Sequence, residues 1–283
     1  MLGSLLIGVS YGWVLFLVAV GLSVIFGLMG FVNLASGSFY ILGAYVAISV
    51  ARATGSFAAA LAAGGAATAV LGVAMEKAFL KRLHGKLLEQ VLLTLGIAYV
   101  VQDMARWLWG AQPMALPPPP GLDGSVTVAG LTLPAYRLAL VAVGTVLGCA
   151  AWALLERTRL GAYVRAGVDD LETLKSLGVN TSAVFTAVFA LGAFLSGLGG
   201  ALGAVVTGVA PGMDFEMLIL ALVVVVFGGL GSVAGAIAGS LVLGVVDSLV
   251  KELWPQAALF VVYGLMALVL VVRPQGLLGR SFR

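Results

Sequence analysis

Charged residues are scarce in this sequence of 283 residues: they make up 10% of it, whereas hydrophobic residues make up 61%. The mean hydropathy is +1.14. Soluble domains are about 25% charged, so a soluble enzyme or a nucleic-acid-binding domain is excluded. The composition is that of an integral membrane protein.

Cysteine and histidine are almost absent, with one residue of each. Cys149 lies inside an apolar run, and a single cysteine excludes an internal disulfide. His84 lies in a basic loop near Arg82 and Lys86, where we expect a solvated side chain and not a metal ligand. No cluster of side chains has the spacing of a metal site.

Catalytic motifs are also missing. The sequence contains no GxxxxGKS/T phosphate loop, no GxSxG and no HExxH. No convergent set of catalytic residues stands out, which argues against a membrane enzyme. We expect that this chain does not hydrolyse ATP itself. If it moves a solute uphill, the energy comes from another chain or from an ion gradient.

Long apolar stretches dominate the sequence instead. A transmembrane helix needs about 20 residues. Stretches near or above that length cover residues 5 to 28, 31 to 51, 56 to 75, 91 to 109, 135 to 155, 180 to 208, 214 to 250 (long enough for two helices) and 256 to 272. Because the bilayer core satisfies no backbone polar groups, we predict an all-α fold. It is a polytopic transmembrane helical bundle of about eight or nine spans in a single domain, residues 1–283. The apolar N-terminus lacks a basic region and an obvious cleavage site, so we interpret it as a retained span.

The basic residues indicate the topology. Eleven of the 15 Lys and Arg residues fall in three segments, 76–90, 156–175 and the tail after Val272, which the positive-inside rule makes cytoplasmic. The loop at about 110–135 is then external, and its SVTVAGLTL alternates like a short hairpin. If 31–51 crosses completely, the N-terminus is outside and there are about nine spans. If it is re-entrant, the N-terminus is inside and there are about eight, the form we favour.

A weak internal repeat bears on this choice. FGLMGFVNLA at 26–35 aligns without gaps with FGGLGSVAGA at 227–236, with five identities. Paired repeats with Gly-interrupted segments often line the midplane site of transporters. An inverted pair would favour the re-entrant form of 31–51. A chance match within a Gly-rich membrane protein is the alternative.

Polar residues interrupt the apolar stretch at 31–51. Asn33, Ser36 and Tyr40 follow helical spacings of three and four and share one face, while Ser38 lies off its centre. Buried amides and hydroxyls cost free energy unless paired, so this face should point toward another helix or a wet cavity. We predict that these residues line a substrate path with neutral hydrogen-bonding groups. The alternative is that Asn33 and Ser36 cap a helix and bond to neighbouring helices.

The segment at about 156–180 has a helical pattern. Apolar residues recur at spacings of three and four, with charged residues elsewhere. The apolar residues are Val164, Val168, Leu171, Leu174 and Leu177, and the charged ones are Arg165, Asp169, Glu172 and Lys175. This predicts one amphipathic helix over about 161–178, with Gly161 at the turn before it and Gly178 suited to end it. Such a helix either docks in a groove of a partner or lies on anionic lipid.

Two pairs of opposite charges have the spacing of one helical turn. Asp103 and Arg106 are three residues apart, and Asp247 and Lys251 are four apart, so both are expected to form structural ion pairs. Carboxylates within membrane segments are also candidate functional sites. These two aspartates are the candidates for the coupling site of an ion-driven secondary transporter, which is the alternative function.

A further pair of carboxylates, Asp214 and Glu216, follows a Pro-Gly dipeptide. Pro-Gly is typical of turns. We therefore expect both carboxylates in an exposed turn that precedes the next span.

Three stretches carry a resemblance to a known family: FGLMGFVNLASGSFYILGAYVA at 26–47, RTRLGAYVRAGVDDLETLKSLGVN at 157–180, and FGGLGSVAGAIAGSLVLG at 227–244 with RPQGLLGR at 273–280. On these stretches, which frame nearly the full length, the chain resembles the LivH-type permease subunit of the branched-chain amino-acid ABC importers. That family usually has a motif like Asn-x-Ala-His-Gly-Glu. This sequence has Ser36 and Ser38 at the His and Glu positions, so the substrate stays open among branched-chain amino acids, urea, amides and aromatic acids.

The resemblance implies partners, cofactors and location. A permease of this kind pairs with a related permease subunit in a heterodimer, two cytoplasmic ATPase subunits and an external substrate-binding protein, in the bacterial inner membrane. ATP and Mg are expected on the ATPase subunits, and no cofactor is expected in this chain. The 156–180 segment corresponds to the family's coupling loop. The resemblance therefore assigns contact with the ATPase to its helix, through Gly161, Arg165, Asp169, Leu171, Leu174 and Gly178.

Overall fold

The computed structural model describes residues 2–128, 131–273 and 275–278. Within these ranges the protein has eleven α-helices and one β-hairpin. The helices are α1 (Leu2–Met29), α2 (Ser36–Thr54), α3 (Phe57–Ala78), α4 (Leu87–Trp109), α5 (Ala135–Arg157), α6 (Arg159–Asp169), α7 (Leu171–Ser176), α8 (Thr181–Gly203), α9 (Met213–Gly228), α10 (Val233–Leu253) and α11 (Ala258–Val272). Strands β1 (Ser125–Val128) and β2 (Leu131–Pro134) pair antiparallel in the loop between α4 and α5, with Val126 opposite Leu133. The helical fold and the hairpin confirm the prediction. The end of the tail, with Arg280, lies outside the described residues.

Six of the described helices are long and apolar enough to cross a membrane, namely α1, α3, α4, α5, α8 and α10. α2 has 19 residues, but its serines and tyrosines make it less apolar. α9 and α11 are shorter, with 16 and 15 residues. The stretch 214–250 resolves into α9 and α10, so the expectation that it holds two helices is confirmed.

α1 is the central helix of the bundle. Its side chains from Trp13 to Val20 are buried on every side, with Phe16 fully enclosed. A helix that is apolar all round is stable only where other helices surround it, and α5, α8, α9 and α10 do so here. Glycine permits the closest approach, since a Cβ on Gly21 would lie 2.5 Å from the carbonyl oxygen of Gly192. Small residues at such crossings let the backbones of membrane helices touch.

The contacts of α1 define two ends of the bundle. At its start, the Ser4 carbonyl accepts a hydrogen bond from the Ser248 hydroxyl (2.8 Å), near the end of α10. At its end, Gly27 lies against Gly231, in the turn before α10. The two helices are therefore antiparallel. We call the end with Gly27 and the 156–180 segment the basic end, and the end with the start of α1 and β1–β2 the hairpin end.

α2 occupies most of the stretch 31–51, for which the sequence allowed either a complete crossing of the membrane or a re-entrant segment. Gly30, with a φ of 72°, turns the chain at the end of α1, and α2 then runs on without interruption. Its second half reaches the hairpin end, because Trp109 at the end of α4 stacks on Tyr45 (5.2 Å between ring centroids) and donates a hydrogen bond to the Ser49 hydroxyl (2.7 Å). α2 is thus a continuous helix and not a helical hairpin that returns to the basic end.

The two segments of the weak repeat occupy comparable places. Gly30 and Gly231 are aligned positions, and both have a left-handed backbone, with φ of 72° and 74°. Glycine adopts this conformation without steric cost. Both α1 and α9 lead into these turns at the basic end, where Gly27 contacts Gly231. The segments are therefore parallel in the bundle, and the inverted relation that would support re-entry is not observed.

The 156–180 segment forms two helices, so the prediction of one continuous helix is wrong. Between α6 and α7, Asp170 has an extended backbone (φ −157°, ψ 104°), and its Oδ1 accepts hydrogen bonds from the N–H groups of Glu172 (2.9 Å) and Thr173 (3.1 Å). An aspartate that caps these donors starts a new helix. The hydrogen bond from the Thr173 hydroxyl holds the pKa of the Asp170 carboxyl below its usual range.

Candidate functional site

The four residues predicted to line a path, Asn33, Ser36, Ser38 and Tyr40, are all buried at the start of α2. Asn33 Oδ1 accepts a hydrogen bond from the N–H of Ala35 (3.1 Å). The Asn33 Nδ2 and the hydroxyls of Ser36 and Ser38 have no hydrogen-bond partner among the described residues. Ser36 does not cap α2, whose N-cap residue is Ala35. An unsatisfied buried polar group costs about 1–3 kcal/mol. This row is therefore costly in the conformation described.

The structure adds Gln102 and Asp214 to this row, which the sequence did not place there. Gln102 Nε2 donates a hydrogen bond to Asp214 Oδ1 (3.2 Å), and both side chains are buried. Asp214 Oδ2 has no partner among the described residues. Gly37 packs against the Asp214 backbone so closely that a Cβ would lie 1.9 Å from the carbonyl oxygen. The expectation of an exposed Asp214 is wrong, because α9 begins inside the bundle against α2. Glu216 is exposed, as expected.

Local ion pairs follow the predicted spacing. Arg106 and Asp103 lie 3.6 Å apart on α4, with both side chains exposed, and Lys251 and Asp247 lie 2.6 Å apart on α10. Both expected pairs are confirmed. Each carboxylate already has a cation beside it.

His84 lies at the surface with one side of its ring against α8. Its ring makes an edge contact with Phe185 of α8 (4.7 Å between ring centroids), and its Nε2 lies 3.8 Å from Glu76. Only 30% of the side chain is exposed. Removal from water lowers the pKa of His84, and Glu76 opposes this shift in part. The residue as a whole is exposed, as expected of a solvated histidine, and the loop lays one edge of its ring on α8.

Two of the predicted coupling residues, Arg165 and Gly161, attach α6 to the end of α5. The Arg165 guanidinium donates a hydrogen bond to the Leu155 carbonyl and pairs with Glu156 at 3.2 Å. Gly161 packs against the same carbonyl, where a Cβ would lie 2.0 Å from the oxygen. A larger residue at 161 cannot be placed without moving α6. Arg165 and Gly161 therefore hold α6 on α5 at the basic end.

The remaining coupling residues divide between the interior and the surface. Leu174 is buried and Leu171 is partly buried, so both pack inward. Gly178 has a φ of 77° and ends the segment. Asp169 faces a cavity of about 520 Å³ between α6, the end of α1 and the turn before α10. The exposed apolar side chain at this place is Leu177, directly after α7, which is 74% exposed.

Residues 4–270 match the family model described as branched-chain amino acid transport system / permease component. The chain belongs to this family. It is 29% identical to the high-affinity branched-chain amino acid transport system permease protein BraD of Pseudomonas aeruginosa, over 99% of this chain and 96% of the relative. It is also 29% identical to the corresponding permease protein LivH of Escherichia coli, over 96% of this chain and 94% of the relative. A ribose import permease protein, RbsC of Escherichia coli, is 27% identical over 82% of this chain and 73% of the relative. No solved structure matches the chain. The resemblance that the sequence motifs indicated is confirmed.

Proposed function

We propose that this chain is the transmembrane permease subunit of an ABC importer that moves branched-chain amino acids or related small polar solutes into the cytoplasm. The family match over residues 4–270 carries the proposal, and the relatives named as branched-chain amino acid permeases are similar over nearly their whole length. Six helices of membrane length support a multi-pass protein, which we assign to the bacterial inner membrane. Alternating access is the proposed mechanism.

The substrate path in this proposal passes the start of α2. Gly37, within the row formed by Asn33, Ser36, Ser38 and Tyr40, packs against Asp214 of the Gln102–Asp214 pair, and several polar groups of the row lack hydrogen-bond partners among the described residues. A conformational change that opens this region would let water or a polar solute satisfy them. The free-energy cost of leaving these groups unpaired in the conformation described would then be recovered in the open conformation. Alternating access requires a second arrangement of α2 against α9, and the unpaired groups would favour one that admits water or solute.

The proposed partners are a related permease subunit, two cytoplasmic ATPase subunits that bind ATP and Mg, and an external substrate-binding protein. The ATPase would contact α6 and α7, where Leu177 and Val168 are exposed. Arg165 ties α6 to α5, and Gly167 packs against Leu28 near the end of α1. A movement of α6 is therefore transmitted to two of the long helices. The segment acts as a lever between the ATPase and the bundle.

The order of crossings that we propose has nine spans and an external N-terminus. From the Gly30 turn near the basic end the chain enters the bundle, where α2 begins against Asp214, and α2 then reaches the hairpin end, while α1 runs the other way. The basic loops at 76–90 and 156–175 then lie together on the cytoplasmic side. This order replaces the eight-span form, whose support was an inverted repeat.

An ion-coupled secondary transporter is the alternative. Its two candidate carboxylates, Asp103 and Asp247, are each paired with a basic residue one turn away. A coupling site needs a carboxylate that is free to bind the ion. Neither aspartate meets this requirement.

The direct test is uptake by the complete complex in proteoliposomes. We expect uptake of radiolabelled leucine to require enclosed ATP and the external binding protein, and to persist when ionophores collapse all ion gradients. Uptake that follows an imposed gradient without ATP would contradict the proposal.

A further inference from the structure

A second cavity, of about 610 Å³, opens at the hairpin end. It lies between the starts of α1, α5 and α9 and the end of α10. Its wall carries five charged side chains, those of Arg137, Lys251, Glu216, Asp247 and Glu252, and apolar ones that include Ile7, Met213 and Met217. Pockets for small molecules typically measure about 300–1,000 Å³ and are mostly apolar with a few polar groups. The cavity therefore has the size and composition of a site for a small amphipathic molecule.

Two opposite charges in this wall have no charged partner in the described part of the chain. The half-buried Arg137 guanidinium donates a hydrogen bond to the Ser10 hydroxyl (3.1 Å), but no described carboxylate lies within ion-pair distance of it. Glu216 likewise forms no ion pair with a described residue. Asp247 differs, since Lys251 pairs with it at 2.6 Å. Arg137 and Glu216 are thus available to a ligand that carries both signs of charge.

We propose that this cavity binds a zwitterionic α-amino acid with an apolar side chain. Arg137 binds the carboxylate, because a guanidinium matches a carboxylate with two parallel hydrogen bonds. Glu216 binds the ammonium group. Ile7, Met213 and Met217 contact the side chain, and flexible methionines adapt to differently branched side chains. The site rests on the proposed importer function, and what it adds is the place in the bundle and the residues that hold the two charged groups.

The cavity adjoins the polar row of α2. Thr207, between α8 and α9, lines the cavity and donates a hydrogen bond to the Gly203 carbonyl (3.1 Å), and Gly203 packs against the Tyr40 hydroxyl. Met213 in the cavity wall directly precedes Asp214 of the Gln102–Asp214 pair. A solute that leaves the cavity inward therefore meets Tyr40 and Asp214 first. The cavity is the outer binding site of the path, and the polar residues at the start of α2 are the next groups that the solute contacts.

Protection of a single cysteine in the cavity tests this site directly. The Met213→Cys permease, in a Cys149→Ala background, is purified as the full transmembrane and ATPase complex without the binding protein. We expect leucine to slow modification of this thiol by a maleimide. Leucinamide, which lacks the carboxylate, and 4-methylpentanoate, which lacks the ammonium group, should each protect at least about tenfold less well.

Variants of Arg137 and Glu216, with matched controls, test whether each residue binds a charged group of the ligand. We expect Arg137→Gln and Glu216→Gln each to raise the half-protecting leucine concentration about tenfold, the effect of one lost charged contact. Arg106→Gln and Asp103→Asn change an exposed pair on α4 and should leave it unchanged. If Arg137→Gln fails to assemble, Arg137→Lys keeps the charge without the planar fork and should give a smaller rise.

The possible outcomes distinguish a failure of the proposed site from a failure of the proposed importer function. Equal protection by leucine and leucinamide, or a Glu216→Gln variant that protects like the parent, would overturn the site. Absence of protection at millimolar leucine, in a complex that still shows ATP-driven leucine uptake, would overturn the site and leave the importer function intact. Protection that needs both charged groups, in a complex without leucine uptake, would support the site and contradict the importer function.

Discussion

At the scale of single residues, the polar groups at the start of α2 offer a test that distinguishes transport from structure. Ser36→Ala removes a hydroxyl that has no partner among the described residues, and Asn33→Leu is close to isosteric but removes both the unpaired Nδ2 and the Oδ1 that accepts from the Ala35 N–H. Removal of an unsatisfied buried group leaves stability unchanged or raises it by about 1 kcal/mol, whereas loss of a hydrogen bond costs about that much. If the groups serve the solute, we expect each variant to lose about tenfold in the rate of leucine uptake, while the thermal unfolding midpoint of Ser36→Ala holds or rises.

The control is Thr145→Ala on the exposed side of α5. A purely structural role predicts the opposite pattern for Ser36, with lower thermal stability, and normal uptake by the assembled fraction of both variants. Full uptake by both variants would show that this row is not part of the path.

Gly37 tests the contact between α2 and α9. A Cβ at this position would lie 1.9 Å from the Asp214 carbonyl oxygen, so Gly37→Ala forces the two helices apart. We expect a loss of about 1–3 kcal/mol, the usual cost of overpacking, seen as a lower thermal midpoint in detergent. Gly96 on α4 is the matched control, because its Cβ position meets nothing within 4 Å. Gly96→Ala should be neutral or stabilising by up to about 1 kcal/mol. Equal midpoints would contradict the close packing.

At the scale of elements, α6 and α7 form a lever whose surface and attachment can be tested separately. Leu177→Asp places a charge on the most exposed apolar side chain of the segment, and Arg165→Glu removes the tie to Leu155 and Glu156. We expect both variants to insert normally but to lose most of the ATP hydrolysis stimulated by the loaded binding protein. Leu177→Asp should also weaken copurification of the ATPase, since an apolar docking contact is lost.

Leu253→Asp is the matched control, because Leu253 is 68% exposed at the opposite, hairpin end. It should leave stimulation intact. Retained stimulation in both Leu177→Asp and Arg165→Glu would reject the coupling role and favour an interfacial helix that lies on lipid.

At the scale of the whole molecule, thiol labelling in intact cells tests the nine-span order. Single cysteines at Gly3 and Ser125, in a Cys149-free background, should react with an impermeant reagent, whereas cysteines at Lys86 and Lys175 should not. The reason is that the hairpin end lies outside and the basic end lies inside. A protected Gly3 position beside a labelled Ser125 position would restore the eight-span form. Labelling at Lys175 would reject the whole topology.

Much of the architecture was accessible from the sequence because it depends on local patterns. Apolar runs of membrane length predicted the helices, and alternation predicted the hairpin at Ser125–Val128 and Leu131–Pro134. Pairs one turn apart, such as Asp247 and Lys251, meet wherever the helix forms. The one local error concerns Asp170, whose capping of the next helix competes with a continuous apolar periodicity. Family motifs then carried the function, since they span the chain.

Contacts between residues distant in the sequence were decided only by the tertiary structure. Nothing in the local pattern brings Gln102 to Asp214, since that pair depends on Gly37 letting α2 approach the start of α9. The meeting of Arg137 and Glu216 in one cavity likewise depends on how α5 and α9 pack around α1. Composition and periodicity determine which segments are helices and that they lie in a membrane. Which glycine faces meet, and therefore which polar groups share an interior, is set by the packing of the bundle as a whole.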